Sequence, residues 1–140
     1  YIHSDMGIAD DRVGDRMKTS YCYNTMRKMG IRLAAGSDLP IESPKVMEAI
    51  QVNVTRKNLS GWPEGGWYPE EAFDVLDAVK LHTVNGAYVS KDENKYGSIE
   101  VGKQANFVLL SGDVFEVEKD KIKDIEILET YIDGESVYKK

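Results

Sequence analysis

The sequence is poor in cysteine and histidine, has no long apolar run and no excess of basic residues. Its single cysteine, Cys22, excludes an internal disulfide and a cysteine-rich zinc site, and it fits the reducing cytoplasm. No apolar run approaches the roughly 18 residues of a membrane span, and we see no signal segment. Eighteen basic and 24 acidic residues give a net charge of -6, which argues against nucleic acid and against anionic membrane as partners.

The length of 140 residues is typical of one domain with a real core. It is too short for a complete (β/α)8 barrel, which typically needs about 250 residues. The chain begins with Tyr1 rather than methionine, and we therefore expect it to be a piece of a longer product.

The spacing of apolar residues predicts helices in the first two-thirds of the chain. Residues 1–10 are predicted as a loop, followed by one helix from Asp10 or Asp11 to Met29 that Gly30 stops. The run from Ile31 to Ala35 is apolar and bounded by glycines, which predicts a buried strand. Further helices are predicted over 44–55 and 70–80.

The character of the sequence changes near residue 96, where strand signals begin. Residues 97–102 are predicted as a strand and turn, and residues 107–110 as a buried strand. Asp133-Gly134 separates two further apolar segments and is a strong signal for a two-residue hairpin.

Asp38 is the most informative single residue. It lies just past the C-terminal end of the strand predicted over 31–35, where catalytic groups gather in βα folds. A carboxylate there can bind a metal or act as a base on a metal-bound water. The alternative is that Asp38 only caps the loop or the next helix, and the pattern leaves both open.

Seven segments resemble a known family in their order and spacing. They are Gly36–Pro40, Arg56, the aromatic loop of 57–69, Glu71-Ala72, Thr83–Ala87, Gly97–Leu110 and Thr130–Tyr138. Together they resemble the C-terminal portion of the amidohydrolase superfamily, specifically the metal-dependent hydrolases of amidohydrolase family 3. The resemblance covers nearly the whole chain.

The resemblance implies an α/β fragment of a two-part fold. Residues 1–95 would be the C-terminal part of a catalytic (β/α)8 barrel, with 31–35 as its eighth strand, and residues 96–140 would supply strands of a small β-sandwich. It also implies hydrolysis of a non-peptide C–N bond in a small amide-type molecule. The family usually has Ala-Asp where this chain has Ala105-Asn106; asparagine keeps an acceptor and suits turns.

By resemblance, Asp38 binds a divalent metal, usually zinc, and takes the proton of the attacking water. The family's His-x-His and its other metal-binding residues are absent, because the chain has only His3 and His82. One aspartate cannot hold a catalytic zinc, so we expect these residues alone to bind no metal and to be inactive. The alternative is a non-catalytic subunit or self-associating module, a homo-oligomer or one that completes a barrel with another chain.

His3, Arg56 and Trp67 are the candidates for substrate binding. By resemblance His3 lies in the loop after barrel strand seven, although it could be an ordinary loop histidine. Arg56 could bind an anionic group with its fork of donors, or simply end a helix. Trp67, with Trp62 and Tyr68, could form a pocket wall or pack as core or lid.

Overall fold

The computed structural model describes residues 2–140, with helices in the first two-thirds and a sheet in the last third. The α-helices are α1 (Ile2–Val13), α2 (Tyr23–Lys28), α3 (Val46–Thr55), α4 (Val75–Leu81) and α5 (Val84–Val89). Short 3-10 helices span Gly14–Thr19, Pro69–Glu71 and Lys119–Asp124. The strands β1 (Phe107–Leu110), β2 (Ile127–Ile132) and β3 (Glu135–Lys139) form an antiparallel sheet in the order β1-β2-β3. The α/β class is thereby confirmed.

The N-terminal segment is a helix, so the loop predicted over residues 1–10 is wrong where it is described; Tyr1 lies outside the described residues. Ile2, Met6 and Ala9 are buried on one side of α1, at the spacing of a helical face. None of the helices in residues 2–140 is long and apolar enough to cross a membrane.

The single helix predicted from Asp10 or Asp11 to Met29 is also wrong. The chain ends α1 at Val13, passes through a 3-10 helix and a left-handed residue at Tyr21, and only then forms α2. Gly30 does end the helical region, with φ +86 and its amide donating to Arg27 O at 2.9 Å. That stop was predicted correctly because a left-handed residue after a helix favours glycine.

Residues 31–37 form neither a helix nor a strand ladder with any described residue, so the strand predicted over 31–35 is not present as such. Leu33 and Ala35 pack against the larger core cluster, and Ala35 N donates to Leu81 O at 3.1 Å. Ile31 is 44% exposed. A ladder needs a second strand at hydrogen-bonding distance, and the described residues do not provide one here.

Helix α3 is the central element, because it is buried on two sides. Met47, Ile50 and Val54 face the larger cluster, while Val52 faces a smaller cluster under α1. The helix predicted over 70–80 is instead a 3-10 turn followed by α4, whose first turn is capped by Asp74 accepting from Asp77 N at 2.7 Å.

The larger core cluster joins the helical part to the C-terminal part. Val114, Ile122 and Ile125 pack there with residues of α3 and α4, and Ile122 is fully buried. The division into a barrel part at 1–95 and a sandwich part at 96–140 stays a prediction, although these two parts share this cluster.

The hairpin predicted at Asp133-Gly134 is confirmed. Both turn residues have positive φ, and β2 pairs with β3 around them. Asn106 Oδ1 accepts from Asp133 N at 2.8 Å, so this asparagine supplies the acceptor expected of it. β1 is a strand as predicted, but Val108 and Leu109 are about half exposed rather than buried.

No strand forms over residues 97–102, contrary to the prediction. Gly97 lies against α5 instead: a Cβ added to it would be 2.6 Å from the Ala87 Cβ. This close approach and a φ of +98 explain the glycine.

Candidate functional site

Asp38 lies in the turn that directly follows residues 31–37. Its backbone is left-handed, with φ 48. Ile41 N donates to Asp38 O at 2.9 Å, and Glu42 N donates to Ser37 O at 3.1 Å. These two bonds close the turn directly after residue 37, where the Asp38 side chain is exposed; its catalytic role stays a prediction.

The same turn is fastened to the start of α1 by Glu42. Glu42 Oε1 accepts from Ser4 N at 3.0 Å and from Ser4 Oγ at 2.7 Å. The first amides of a helix have no partner within the helix, so this carboxylate acts as a cap supplied from elsewhere in the chain. Sequence reasoning missed Glu42, because its partner lies 38 residues away and no local pattern marks the pair.

An open cleft of about 290 Å³ lies beside this turn. Its walls come from the start of α1, from residues 33–37 and from α3, and they are mostly apolar. Ser37 and Glu42 line it on the side of the Asp38 turn. The cleft therefore reaches Ser37, the residue directly before the candidate catalytic Asp38.

His3 lines this cleft, and Leu59 N donates to its Nδ1 at 3.3 Å. Glu48 lines it as well. Burial would raise the pKa of Glu48, but hydrogen bonds from Ser43 and Lys45 outweigh burial and hold that pKa below its usual value. Of the three candidate substrate-binding residues, His3 is the one that the structure places in the cleft.

Arg56 lies in the core instead of the cleft. It follows α3 in a left-handed conformation, and its side chain is fully buried. Nε donates to Trp67 O at 2.9 Å and Nη1 to Tyr21 O at 3.4 Å. Burial lowers the pKa of Arg56, and the negative charge of Glu71 opposes that change.

Trp67 is buried beside Arg56, whose guanidinium carbon is 5.0 Å from the indole centroid. Its Nε1 donates to Asp10 Oδ2 at 2.9 Å, and Tyr21 packs edge-on against it at 5.3 Å. Tyr21 donates to Asp5, which with burial raises the pKa of Tyr21 to about 12. These contacts make Trp67 a joint between α1 and the aromatic loop; a contact with substrate stays a prediction.

The residues described do not fit a complete metal centre. Within 2–140, no group of three or more His, Cys, Asp or Glu side chains is placed to hold a metal ion. Asp38 offers one carboxylate, whereas a catalytic zinc takes three protein ligands. His82 directly follows α4 and is not among the residues that line the cleft, and burial lowers its pKa.

Comparisons with known proteins agree over nearly the whole chain. The model of a family described as the amidohydrolase family matches residues 1–138. The putative amidohydrolase YtcJ of Bacillus subtilis is 36% identical over 141 residues, covering 100% of this chain and 27% of that protein. The N-substituted formamide deformylase of Arthrobacter pascens is 30% identical over 116 residues, covering 83% of this chain and 21% of that protein.

A third relative is the 5-methylthioadenosine/S-adenosylhomocysteine deaminase of Thermoanaerobacter pseudethanolicus, 35% identical over 91 residues, with 63% of this chain and 20% of that protein covered. Among solved structures, an amidohydrolase from Thermotoga maritima matches with a TM-score of 0.62 and 24% identity, over 86% of this chain and 26% of that one. That likeness is one of fold. The chain spans between 20% and 27% of the length of these relatives.

Proposed function

Because the chain belongs to the amidohydrolase family, we propose that it forms the C-terminal portion of a metal-dependent hydrolase that cleaves a non-peptide C–N bond in a small molecule. Relatives named as a formamide deformylase and a deaminase support a C–N bond as the target. The fraction of each relative that the chain covers supports a role within a longer polypeptide.

One observation carries this proposal: the Asp38 turn at the end of residues 31–37. The turn is closed by two backbone hydrogen bonds and fastened to α1 through Glu42. A carboxylate on a firmly held turn is suited to work on a substrate.

In the proposed reaction, the Asp38 carboxylate accepts a proton from the water that attacks the substrate carbon. A new C–O bond forms, and the C–N bond breaks. The same carboxyl group then returns the proton to the leaving nitrogen, which departs as an amine or ammonia.

The metal of this proposal would be held only in part by the residues described. The family is generally metal-dependent, and we propose a divalent ion, zinc, for this member. Asp38 would be one donor, and the other donors would come from residues outside these 140. Our expectation that the 140 residues are inactive alone follows from this donor set.

Substrate contacts are proposed for His3, which lines the cleft next to Glu42 and Ser37. Arg56 and Trp67 support the site differently: they hold the loop of residues 57–68 against α1 from within the core. Their predicted contact with substrate would require the loop to open.

The test uses the polypeptide that the complete gene encodes, as wild type and as Asp38→Asn. N-substituted formamides are assayed by formate release and aminopurine nucleosides by ammonia release. We expect one class to be hydrolysed, and Asp38→Asn to lower kcat by roughly 10²- to 10⁴-fold, the usual contribution of a general acid–base group. Thermal unfolding should be unchanged, since Asp38 is exposed.

Asp124→Asn is the matched control, because Asp124 is an exposed aspartate in the 3-10 helix at 119–124. It should keep full activity. Unimpaired turnover by Asp38→Asn, or release of neither product by the wild type, would overturn the proposal. Activity that persists after chelation and dialysis would overturn the metal-dependent part alone.

The second candidate function is a non-catalytic module that associates with itself or with another chain. Exposed apolar side chains within and just after residues 31–37 favour this function; they are Ile31, Leu39 and Ile41. Sedimentation at micromolar concentration tests it. A homo-oligomer is expected on this view, and a clean monomer counts against self-association.

A further inference from the structure

We propose that Glu42 is a positioning residue that holds the Asp38 turn against the start of α1, so that the Asp38 carboxylate keeps its place. This inference rests on the proposed function, because it assigns a task to a residue that acts through Asp38. It concerns how the site is held together rather than which groups react.

Glu42 contacts two different parts of the chain, the start of α1 and the residue before Asp38. Its side chain accepts from Ser4 N at 3.0 Å and from Ser4 Oγ at 2.7 Å. Its backbone amide donates to Ser37 O at 3.1 Å, on the other side of Asp38. Glu42 thus connects the residue before Asp38 to a different helix.

The bond to α1 is of a favourable kind. Ser4 lies in the first turn of a 12-residue helix, whose first amides have no partner inside the helix. A carboxylate there also meets the positive end of the helix dipole, and hydrogen bonds to a charged acceptor are stronger than neutral ones. If this contact were broken, the Ser4 amide and hydroxyl would lose an acceptor and the Glu42 carboxylate would lose two donors.

The turn needs such a support because Asp38 has a left-handed backbone, with φ 48. A non-glycine residue persists in this region only where its surroundings hold it. Residues 31–37 have no ladder among the described residues to hold them, so the contact through Glu42 carries more of this task.

Glu42 also lines the cleft, which raises a competing role as a direct substrate contact. The two roles differ in kinetics. A positioning residue acts on the orientation of Asp38 and changes kcat, whereas a residue that binds the substrate equally in ground and transition states changes KM.

The test compares Glu42→Ala, Glu42→Gln and Ser4→Ala in the polypeptide that the complete gene encodes. We expect Glu42→Ala to lower kcat by about 10- to 100-fold with little change in KM, the scale of a catalytic group displaced by about 1 Å. Glu42→Gln should recover most of kcat, because its amide oxygen can accept from the same two donors. Ser4→Ala keeps the N–H donor and should lose less.

Two controls accompany these variants. Glu93→Ala replaces an exposed glutamate in the turn after α5 and should behave as wild type. The double variant Ser4→Ala with Glu42→Ala should be no worse than Glu42→Ala alone, because Glu42→Ala already removes the one bond that Ser4→Ala removes.

Amide hydrogen exchange gives a second readout that needs no turnover. Glu42→Ala should speed exchange at Ile41 and Glu42's own position, whose amides close the turn, and leave the amides of β2 unchanged. A purely global loss of stability would speed exchange in both places and would contradict the proposal.

The outcomes separate this inference from the proposed function. If Asp38→Asn retains turnover, the proposed function fails, and so does any positioning role for Glu42 that acts through Asp38. If Asp38→Asn is inactive while Glu42→Ala keeps wild-type kcat, only the positioning role is wrong. A raised KM with unchanged kcat would make Glu42 a substrate contact instead.

Discussion

Residues 31–35 and strand β1 are both short apolar runs of sequence, yet only β1 belongs to a sheet. β1 pairs with β2 from Phe107 opposite Tyr131 to Leu110 opposite Ile127. Residues 31–37 rest on core side chains and on a bond from Ala35 N to Leu81 O. A strand is thus a property of a pair: β2 follows β1 within the chain, whereas the described residues contain no second strand for 31–37.

The difference matters because Asp38 follows the segment without a ladder. In β1 the ladder fixes the position of the backbone, and the adjoining hairpin is fixed with it. At Asp38 the position depends on side chains, above all on Glu42 at α1 and on Leu33 in the larger core cluster. Substitutions in the core that both regions share, in each region and at the hairpin therefore test this difference.

The largest effect is expected from the shared core beneath both regions. Ile122 is fully buried against α3 and α4, so Ile122→Ala should cost about 2–5 kcal/mol of unfolding free energy, from lost burial and the cavity left behind. Chemical denaturation measures it. Ile99→Ala is the matched control, since Ile99 is 88% exposed and should cost little. Equal losses in the two variants would contradict the packing described.

A proline placed in each segment tests the comparison directly. Thr130 is in the central strand and faces Val108 on one side and Tyr138 on the other. Thr130→Pro should destabilise the chain by about 1–3 kcal/mol or more, because the central strand loses a hydrogen-bond donor. Ala34 is exposed and lies in residues 31–37, which have no ladder. Ala34→Pro should therefore cost clearly less unfolding free energy in the same 140 residues.

The same Ala34→Pro variant sharpens the comparison in the polypeptide that the complete gene encodes. If residues 31–35 are the eighth strand of a barrel there, neighbouring strands bond to them and the proline becomes costly. We expect a loss of stability close to that of Thr130→Pro. A loss as small as that in the 140 residues would contradict the assignment to a barrel strand.

A smaller effect is expected at the hairpin. Asn106 Oδ1 accepts from Asp133 N at 2.8 Å, so Asn106→Ala should cost about 1 kcal/mol, the usual net value of one hydrogen bond. Asn106→Asp keeps an acceptor at this position and should cost less. Thermal unfolding of both variants measures these costs. Unchanged stability in Asn106→Ala would show that the turn does not need this hydrogen bond.

What could be predicted from the sequence was local. Gly30 and Asp133-Gly134 were predicted correctly, because positive φ favours glycine at a helix end and in a tight hairpin. α1 was missed although Ile2, Met6 and Ala9 have helical spacing, because Gly7 and the polar residues between them hid it. The family was recognised from the order of several motifs.

What could not be predicted depended on distant partners. Arg56 was a candidate for substrate binding, but its Nε and Nη1 donate to Trp67 O and Tyr21 O, which no local pattern places beside it. The sequence placed Asp38 just after residues 31–35, but it could not reveal the contact of Glu42, since its partner Ser4 is 38 residues away. Residues 31–35 were predicted as a strand from composition, which says nothing about a neighbour.

The smallest expected effect is a pH dependence carried by His82, which lies after α4 next to the residue that bonds to Ala35. Burial lowers the pKa of His82 below its ordinary value of 6.5. Between 6.5 and that lower value the unfolded chain binds more protons than the folded one, so stability falls as the pH drops through this window. The slope can reach at most about 1.4 kcal/mol per pH unit.

His82→Gln should therefore flatten the stability of the chain as the pH drops below 6.5, because no buried imidazole remains to be protonated. His3→Gln keeps His82 and should keep the fall, which makes it the matched control. Denaturation midpoints across this range measure both. If stability still falls as the pH drops in His82→Gln, another group causes the fall. Protonation of His82 then does not weaken the hydrogen bond from Ala35 N to Leu81 O that supports residues 31–37.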